Sequence, residues 1–193
     1  MALHPRAAIV LLLTLVLALG GCTRMVASFS DQPADRNHGK RTFGARIEDG
    51  SIERKVRINL MRTDERYRSA DIDVTSYNGT VLLVGHVDSD DLKATAGGIA
   101  EGIRHVRQVH NEILVGPPPA TLSGVSDGWI TSKIKSRLLV SSEAPGRRTK
   151  VVTANGVVYL MGLLTQAEAE ATVAQVQKVY GVQKIVKIIE YID

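Results

Sequence analysis

Val74-Thr75-Ser76-Tyr77-Asn78-Gly79-Thr80-Val81-Leu82-Leu83-Val84-Gly85 is answered later in the chain by Val151-Val152-Thr153-Ala154-Asn155-Gly156-Val157-Val158-Tyr159-Leu160-Met161-Gly162. Each stretch sets Asn-Gly between apolar runs. Asn and Gly tolerate the positive φ values of a type I′ turn, so both stretches predict a two-residue β-hairpin. The run after each turn, Val81 to Val84 and Val157 to Met161, is almost wholly apolar. Such a strand belongs at the centre of a sheet or under cover on both faces. Gly85 and Gly162 close these runs at matching places. A glycine there marks a bulge or a close backbone approach. Both are read as structural, admitting a closely packed helix, rather than as ligand contacts.

The match extends outward. Asp49-Gly50-Ser51-Ile52 returns as Asp127-Gly128-Trp129-Ile130, and His105-Val106 as Gly181-Val182. The chain therefore holds two copies of one module of roughly 70 residues. Upstream of each hairpin, Ile52, Val56 and Leu60, and again Ile130, Ile134 and Leu138, recur at every fourth position and make one helical stripe. Asp49 and Asp127 are placed to begin these helices by capping free amides. Downstream, Thr165-Gln166-Ala167-Glu168 fits a capping box, with Ala169, Val173, Val176 and Val179-Tyr180 as the apolar side of a second helix. Its counterpart, Ser89 to Ile103, carries Gly97, Gly98 and Gly102. Each interior Gly costs about 1 kcal/mol relative to Ala, so this helix is expected to be the weaker one. Closing strands follow at Gln108 to Val115 and Lys184 to Ile192. The predicted fold is α+β, two tandem αββαβ modules, each a small mixed sheet packed against two helices. Modules this small bury only about 60% of their unfolded surface, which favours packing of the copies on each other. With two Phe and one Trp in the chain, aliphatic side chains must build the cores.

The N-terminus reads as a targeting segment. Arg6 is followed by the uncharged run Ala7 to Leu19, too short for a span of about 20 residues. Leu19-Gly20-Gly21-Cys22 resembles the lipobox of bacterial lipoproteins. The resemblance implies residues 1–21 as a lipoprotein signal peptide, cleavage before Cys22 and acylation of that residue. The other reading is an ordinary signal peptide with an incidental Cys. Cys22 is the one Cys in the chain, which leaves no disulfide and no second thiol for redox chemistry. Thr23 after it, where lipoproteins retained at the inner membrane tend to carry Asp, implies the outer membrane, facing the periplasm. Residues 22–46 are polar and read as a lipidated tether with a reach of roughly 25–30 Å. Gly116-Pro117-Pro118-Pro119-Ala120-Thr121-Leu122-Ser123 reads as a stiff linker. The modules are then residues 47–115 and 124–193.

Charge is unevenly spread. Ile47 to Val115 holds nine Lys/Arg and twelve Asp/Glu, a net of −3. Gly124 to Asp193 holds nine Lys/Arg and six Asp/Glu, a net of +3. The asymmetry points the second module at something anionic. Nucleic acid does not fit, since few aromatics are present for stacking and no Arg-rich recognition segment is visible. An anionic membrane surface, presenting phospholipid such as phosphatidylglycerol or cardiolipin, does.

Taken together, a first helix, an Asn-Gly hairpin ending in Gly, an Ala-rich helix and a Gly-Val-x-x-Val closing strand resemble the BON domain. The segments Trp129 to Leu139 and Asn155-Gly156 with Leu160-Met161-Gly162-Leu163 carry the resemblance most closely. Two such modules behind a lipobox resemble dual-BON outer-membrane lipoproteins. That resemblance implies anionic-lipid binding by the second module, a part in envelope integrity and association with cell-division sites.

The copies differ where a function of one copy should sit. Trp129 stands where the first copy has Ser51, so the fold does not require a large ring there. On a helical wheel with Trp129 at 0°, the stripe centres on about 140°, Lys133 falls at about 40°, Ser136 at about −20°, Ser132 at about −60°, Arg137 at about 80° and Lys135 at about 240°. Trp129, Ser132, Lys133 and Ser136 thus share a face turned away from the core, with Arg137 and Lys135 on its flanks. Trp suits the membrane interface, basic residues are drawn to anionic lipid, and hydroxyls can bond phosphate oxygens. The rival reading seats Trp129 in the seam between the modules. Arg147, Arg148 and Lys150 lie near the second hairpin, either adding attraction or forming an exposed loop.

No catalytic constellation is legible. His4, His38, His86, His105 and His110 lack metal-ligand spacing. Asp88-Ser89-Asp90-Asp91 lacks the Gly and distal Glu of a calcium loop and better begins a helix. The expectation is a non-enzymatic protein with no cofactor, no metal and no nucleic-acid partner. The alternative function is a lipid-anchored scaffold for envelope-assembly proteins.

Overall fold

The computed structural model describes residues 39–117 and 126–192. Cys22, the expected signal peptide, most of the tether and most of the linker lie outside the described residues.

The first copy consists of α1 (Phe43–Thr63), a 3-10 turn (Glu65–Arg68), β1 (Ile72–Tyr77), β2 (Thr80–Val87), α2 (Asp90–Glu101) and β3 (Gln108–Val115). The second consists of α3 (Asp127–Val140), β4 (Lys150–Ala154), β5 (Val157–Leu164), α4 (Gln166–Val176) and β6 (Lys184–Tyr191). In each copy the middle strand pairs antiparallel with its hairpin partner and parallel with the closing strand. The sheets are therefore mixed, in the orders β1-β2-β3 and β4-β5-β6.

Strand alternation sorts the apolar side chains into two faces of each sheet. On one face, Val74, Val81, Leu83 and Ile113 pack with Ile52, Val56 and Leu60 of α1 and with Leu92, Ala96 and Ala100 of α2. In the second copy, Val151, Val158 and Leu160 pack with Ile130, Ile134 and Leu138 of α3 and Val176 of α4. The opposite faces meet each other: Tyr77, Leu82 and Val84 join Val152, Tyr159, Met161, Leu163 and Ile188 in one buried cluster. The layers thus run helices, sheet, sheet, helices. Val81 to Val84 and Val158 to Met161 are buried because each middle strand has helices on one side and the other sheet on the other.

Polar bonds close the seam. The Tyr77 hydroxyl donates to the Arg148 carbonyl at 2.6 Å, while the Arg41 guanidinium stacks 3.7 Å from the Tyr77 ring centroid. Arg107 and Asn78 both donate to Glu190, at 3.0 and 3.2 Å.

Both turns have the expected form. Asn78 and Gly79 sit at φ 52° and 77°, and Asn155 and Gly156 at 53° and 75°. The aspartates have a role other than the expected one. Thr42 caps α1, and Asp49 lies inside that helix, buried. Its carboxylate accepts from the Asn78 and Gly79 amides, both at 2.9 Å, from the Ser76 hydroxyl at 2.8 Å and from Arg41 at 2.6 Å. Ser126 caps α3, and Asp127 reaches the Asn155 and Gly156 amides at 2.6 and 2.8 Å. In both copies the Asp fastens the hairpin turn to the first helix. The α1 helix also begins at Phe43, so residues 43–46, assigned above to the tether, are helical.

The capping box is present, with both Thr165–Glu168 bonds formed. Its helix stops at Val176, and Tyr180 is exposed instead of continuing the apolar side. In α2 the buried Gly97 admits the Asn111 side chain, which donates to the Lys93 carbonyl at 2.7 Å. His105, at φ 72°, occupies the left-handed place that Gly181 fills at 91° in the second copy.

Candidate functional site

The α3 helix is fixed from inside. Ile130, Ile134 and Leu138 are buried against sheet and α4, and the Thr131 hydroxyl bonds Thr153 of β4 at 2.7 Å. At its start the Ser126 hydroxyl accepts from the Trp129 amide at 3.2 Å. These contacts set which side chains face outward.

Trp129 is 45% exposed and belongs to none of the three buried clusters. The seam is filled by Tyr77, Tyr159 and their aliphatic neighbours, so the ring is not a seam residue. The Lys133 ammonium lies 5.9 Å from the indole centroid, at the outer limit of a cation–π contact. Ser136 and Lys135 are exposed, Lys135 on the far flank. The Ser132 hydroxyl donates to the Gly128 carbonyl at 2.8 Å, leaving its lone pairs for an incoming donor. Arg137 is half-buried, with its Nε shielded and lacking a hydrogen-bond partner among the described residues. It lies against the module and does not share the Trp129 face.

Two residues of this surface are absent from the expectation above. Leu139 is 61% exposed and Val140 86% exposed. Val140 falls at about 20° on the same wheel, in line with Trp129, Lys133 and Ser136. Carrying the wheel one turn further along the sequence would have found it. The outer face of α3 is thus an indole at one end, two aliphatic side chains at the other, and a lysine and hydroxyls between.

Near the second hairpin the three basic residues part company. Arg147 and Lys150 are exposed. Arg148 is turned inward, bonding the Leu163 carbonyl at 3.2 Å and pairing with Glu168. It belongs to the seam.

The two glycines are not equivalent. Gly85 sits at φ 132°, and a Cβ there would lie 1.8 Å from the Asp71 carbonyl oxygen. The neighbour is the backbone leading into β1, not a helix. Gly162 has no positive φ, and its Cβ would meet Leu164 at 3.1 Å and the Arg148 carbonyl at 3.2 Å.

Among the described residues, no group of three or more His, Cys, Asp or Glu is placed to hold a metal ion. No described helix is long and apolar enough to cross a membrane. Among the described residues, the one close His–carboxylate pair, His105 with Glu48 at 3.1 Å, is on the surface. The hydrogen bond from His105 holds the Glu48 carboxyl below its usual range.

Comparison with known proteins gives the same frame. The BON-domain family model matches residues 48–117 and 126–193. The chain is 34% identical to "Outer membrane lipoprotein DolP" of Haemophilus influenzae, over all of both chains. It is 35% identical to "21 kDa hemolysin" of Actinobacillus pleuropneumoniae, covering 82% of this chain and 85% of that one. It is 31% identical to "Osmotically-inducible protein Y" of Escherichia coli, covering 72% of this chain and 70% of that one.

Proposed function

The chain belongs to the BON-domain family and carries two copies of the module, and from that premise we propose that it is a non-enzymatic outer-membrane lipoprotein whose second module binds anionic phospholipid. The anchor is the acylated Cys22, on the periplasmic face of the membrane. The role is support of envelope integrity, together with localisation to division sites. Similarity to a protein named as an outer-membrane lipoprotein over the full length of both chains supports the location.

The observation that carries lipid binding is the outward Trp129 with Lys133, on a helix whose copy in the first module has Ser51 at the same place. An indole half in solvent leaves apolar area exposed to water, and a bilayer interface takes up that area while keeping the ring N–H near head groups. Leu139 and Val140 extend the contact by a further turn. Lys133 and Lys135 each contribute about 1 kcal/mol near an anionic surface. The helix lies on the bilayer as part of a folded module.

The test is flotation of acyl-free protein with vesicles. Binding to phosphatidylglycerol vesicles that weakens with salt and is absent on phosphatidylcholine is the expected result. Equal flotation with both, or with neither, contradicts the proposal. Separately, Cys22→Ser should release the protein from the membrane fraction while leaving it folded, because neither module contains a Cys.

A further inference from the structure

The layered fold turns α1 and α3 to opposite outer sides, because each helix layer covers the sheet face that the other sheet does not. With α3 on a bilayer, α1 faces away from it. That outer face is not a plain polar one. Phe43 is 78% exposed, and Ile47, Ile58 and Met61 are exposed with it. On a wheel with Phe43 at 0°, Ile47 lies at about 40°, Ile58 at about 60° and Met61 at about 0°, while the buried Ile52, Val56 and Leu60 lie at about 180–260°. The four lie along one ridge about 27 Å long as two apolar pairs, Phe43 with Ile47 and Ile58 with Met61, with Gly50, Ser51 and Arg54 between them. Phe43 and Ile47 belong to an N-terminal extension of α1 that α3 lacks, since Asp49 matches Asp127 at the very start of α3. The fold of the module is complete without it.

Charge on this ridge has one sign. Arg54 lies within it, at about 20°, and Arg46 and Arg62 lie to either side. All three are exposed and have no ion pair among the described residues. The acids of α1 are engaged elsewhere: Asp49 on the hairpin turn, Glu53 accepting the Ser76 amide at 2.9 Å, Glu48 with His105. Beside the C-terminal half of α1 is a recess of about 280 Å³ lined by Asn59, Arg62, Gly98, Ile99, Gly102 and Ile103.

We propose that the outer face of α1 docks an acidic amphipathic helix of a partner protein. Phe, Met and Arg are the residue types enriched in protein interfaces, whereas Lys, which dominates the outward charge of α3, is depleted there. The planar guanidinium groups suit paired carboxylates. The recess lies between α1 and α2 on the Arg62 flank, where it can take a side chain from a helix seated towards that flank. A symmetric pairing of two copies through this face does not fit, because two α1 faces would set arginine against arginine. The orientation away from the bilayer rests on the lipid reading of α3; the surface itself does not.

The experiment places a photo-crosslinking p-benzoylphenylalanine at position 58 of the full chain in the cells that express it, with vesicle flotation of the same protein alongside. The expected adduct is with another polypeptide, mapping to a helix that is acidic around an apolar stripe. Arg54→Glu together with Arg62→Glu should reduce that adduct by about tenfold, with an unchanged thermal melt and unchanged flotation. Trp129→Ala should weaken flotation without changing which polypeptide is captured, so the two readings fail separately. An adduct with phospholipid, with a second copy, or with a segment that is neither acidic nor helical overturns the proposal. So does absence of any adduct from protein present at its normal level, or an adduct insensitive to the charge reversal.

Discussion

Asp49→Ala is the substitution whose cost the structure sets most fully. Asp49 is 4% exposed and its carboxylate receives four donors. Removing it leaves the Ser76 hydroxyl and the Gly79 amide buried without a partner, opens the Asn78 amide, and frees Arg41 from its ion pair. A buried donor left unsatisfied costs about 1–3 kcal/mol. Water reaches Asn78 and Arg41, so those two losses are small, and the sum is about 3–5 kcal/mol. Asp127→Ala removes two turn bonds, to the Asn155 and Gly156 amides, and one favourable charge in the first turn of α3. It should cost about 2–3 kcal/mol. The assay is denaturant unfolding of both variants, with amide hydrogen exchange at Asn78, Gly79, Asn155 and Gly156 as the local readout. Asp49→Ala should be the more damaging, and each variant should lose protection first in its own hairpin. A loss below about 1 kcal/mol for Asp49→Ala, or hairpin amides that exchange as in the wild type, would mean that the carboxylate does not hold the turn.

Gly85→Ala should destabilise by about 3–5 kcal/mol, from a strained φ and a backbone clash, whereas Gly162→Ala should cost about 1 kcal/mol and Gly162→Val about 1–3 kcal/mol; thermal melts rank the three. Tyr77→Phe should cost about 1 kcal/mol by removing the bond across the seam to the Arg148 carbonyl, seen as a lower unfolding midpoint. Glu190 has its carboxyl held below the usual range, first by the hydrogen bond from Arg107. Its folded value is depressed, so its contribution is present above the unfolded value of about 4.3 and is lost as pH falls through the folded one. The pair is half-exposed, which keeps that contribution below about 1 kcal/mol. Glu190→Gln should accordingly flatten the loss of stability between pH 5 and 3 only slightly, as measured by melts across that range.

The hairpins, the capping box and the buried stripes of α1 and α3 were legible because each rests on a local rule. Asn-Gly dictates its turn from its own φ preferences, and a four-residue spacing dictates one helix face. The Asp49 and Asp127 bonds were not legible, because they join residues nearly thirty positions apart, and in sequence an Asp before an apolar stripe looks like a cap. The start of α1 was missed for a related reason. Phe43 and Ile47 lie on the outer face, out of phase with Ile52, Val56 and Leu60, so the inward period gave no sign that the helix extended back to Thr42. The seam was expected only in outline. Alternation marks which strand residues share a face, but the presence of a second sheet on that face comes from the packing of the two copies. At the α3 face, Trp129 and Lys133 stood out against Ser51 and the wheel, while Leu139 and Val140 did not, since apolar residues at a helix end read as core until the core is seen to be full.

If the outer face of α3 holds the protein to anionic lipid, changes on that face alone should weaken vesicle binding. The deciding measurement is the binding of acyl-free Trp129→Ala and Lys133→Glu to phosphatidylglycerol vesicles, beside the matched first-copy changes Ser51→Ala and Lys55→Glu. Loss of the Lys133 attraction and its replacement by repulsion amounts to about 2 kcal/mol, or roughly thirtyfold in affinity at low salt and less as salt rises. Trp129→Ala should weaken binding on the order of tenfold with a near-intact melt. The first-copy variants should bind as the wild type does. If both second-copy variants also bind like the wild type, the outer face of α3 does not meet lipid and the membrane face lies elsewhere.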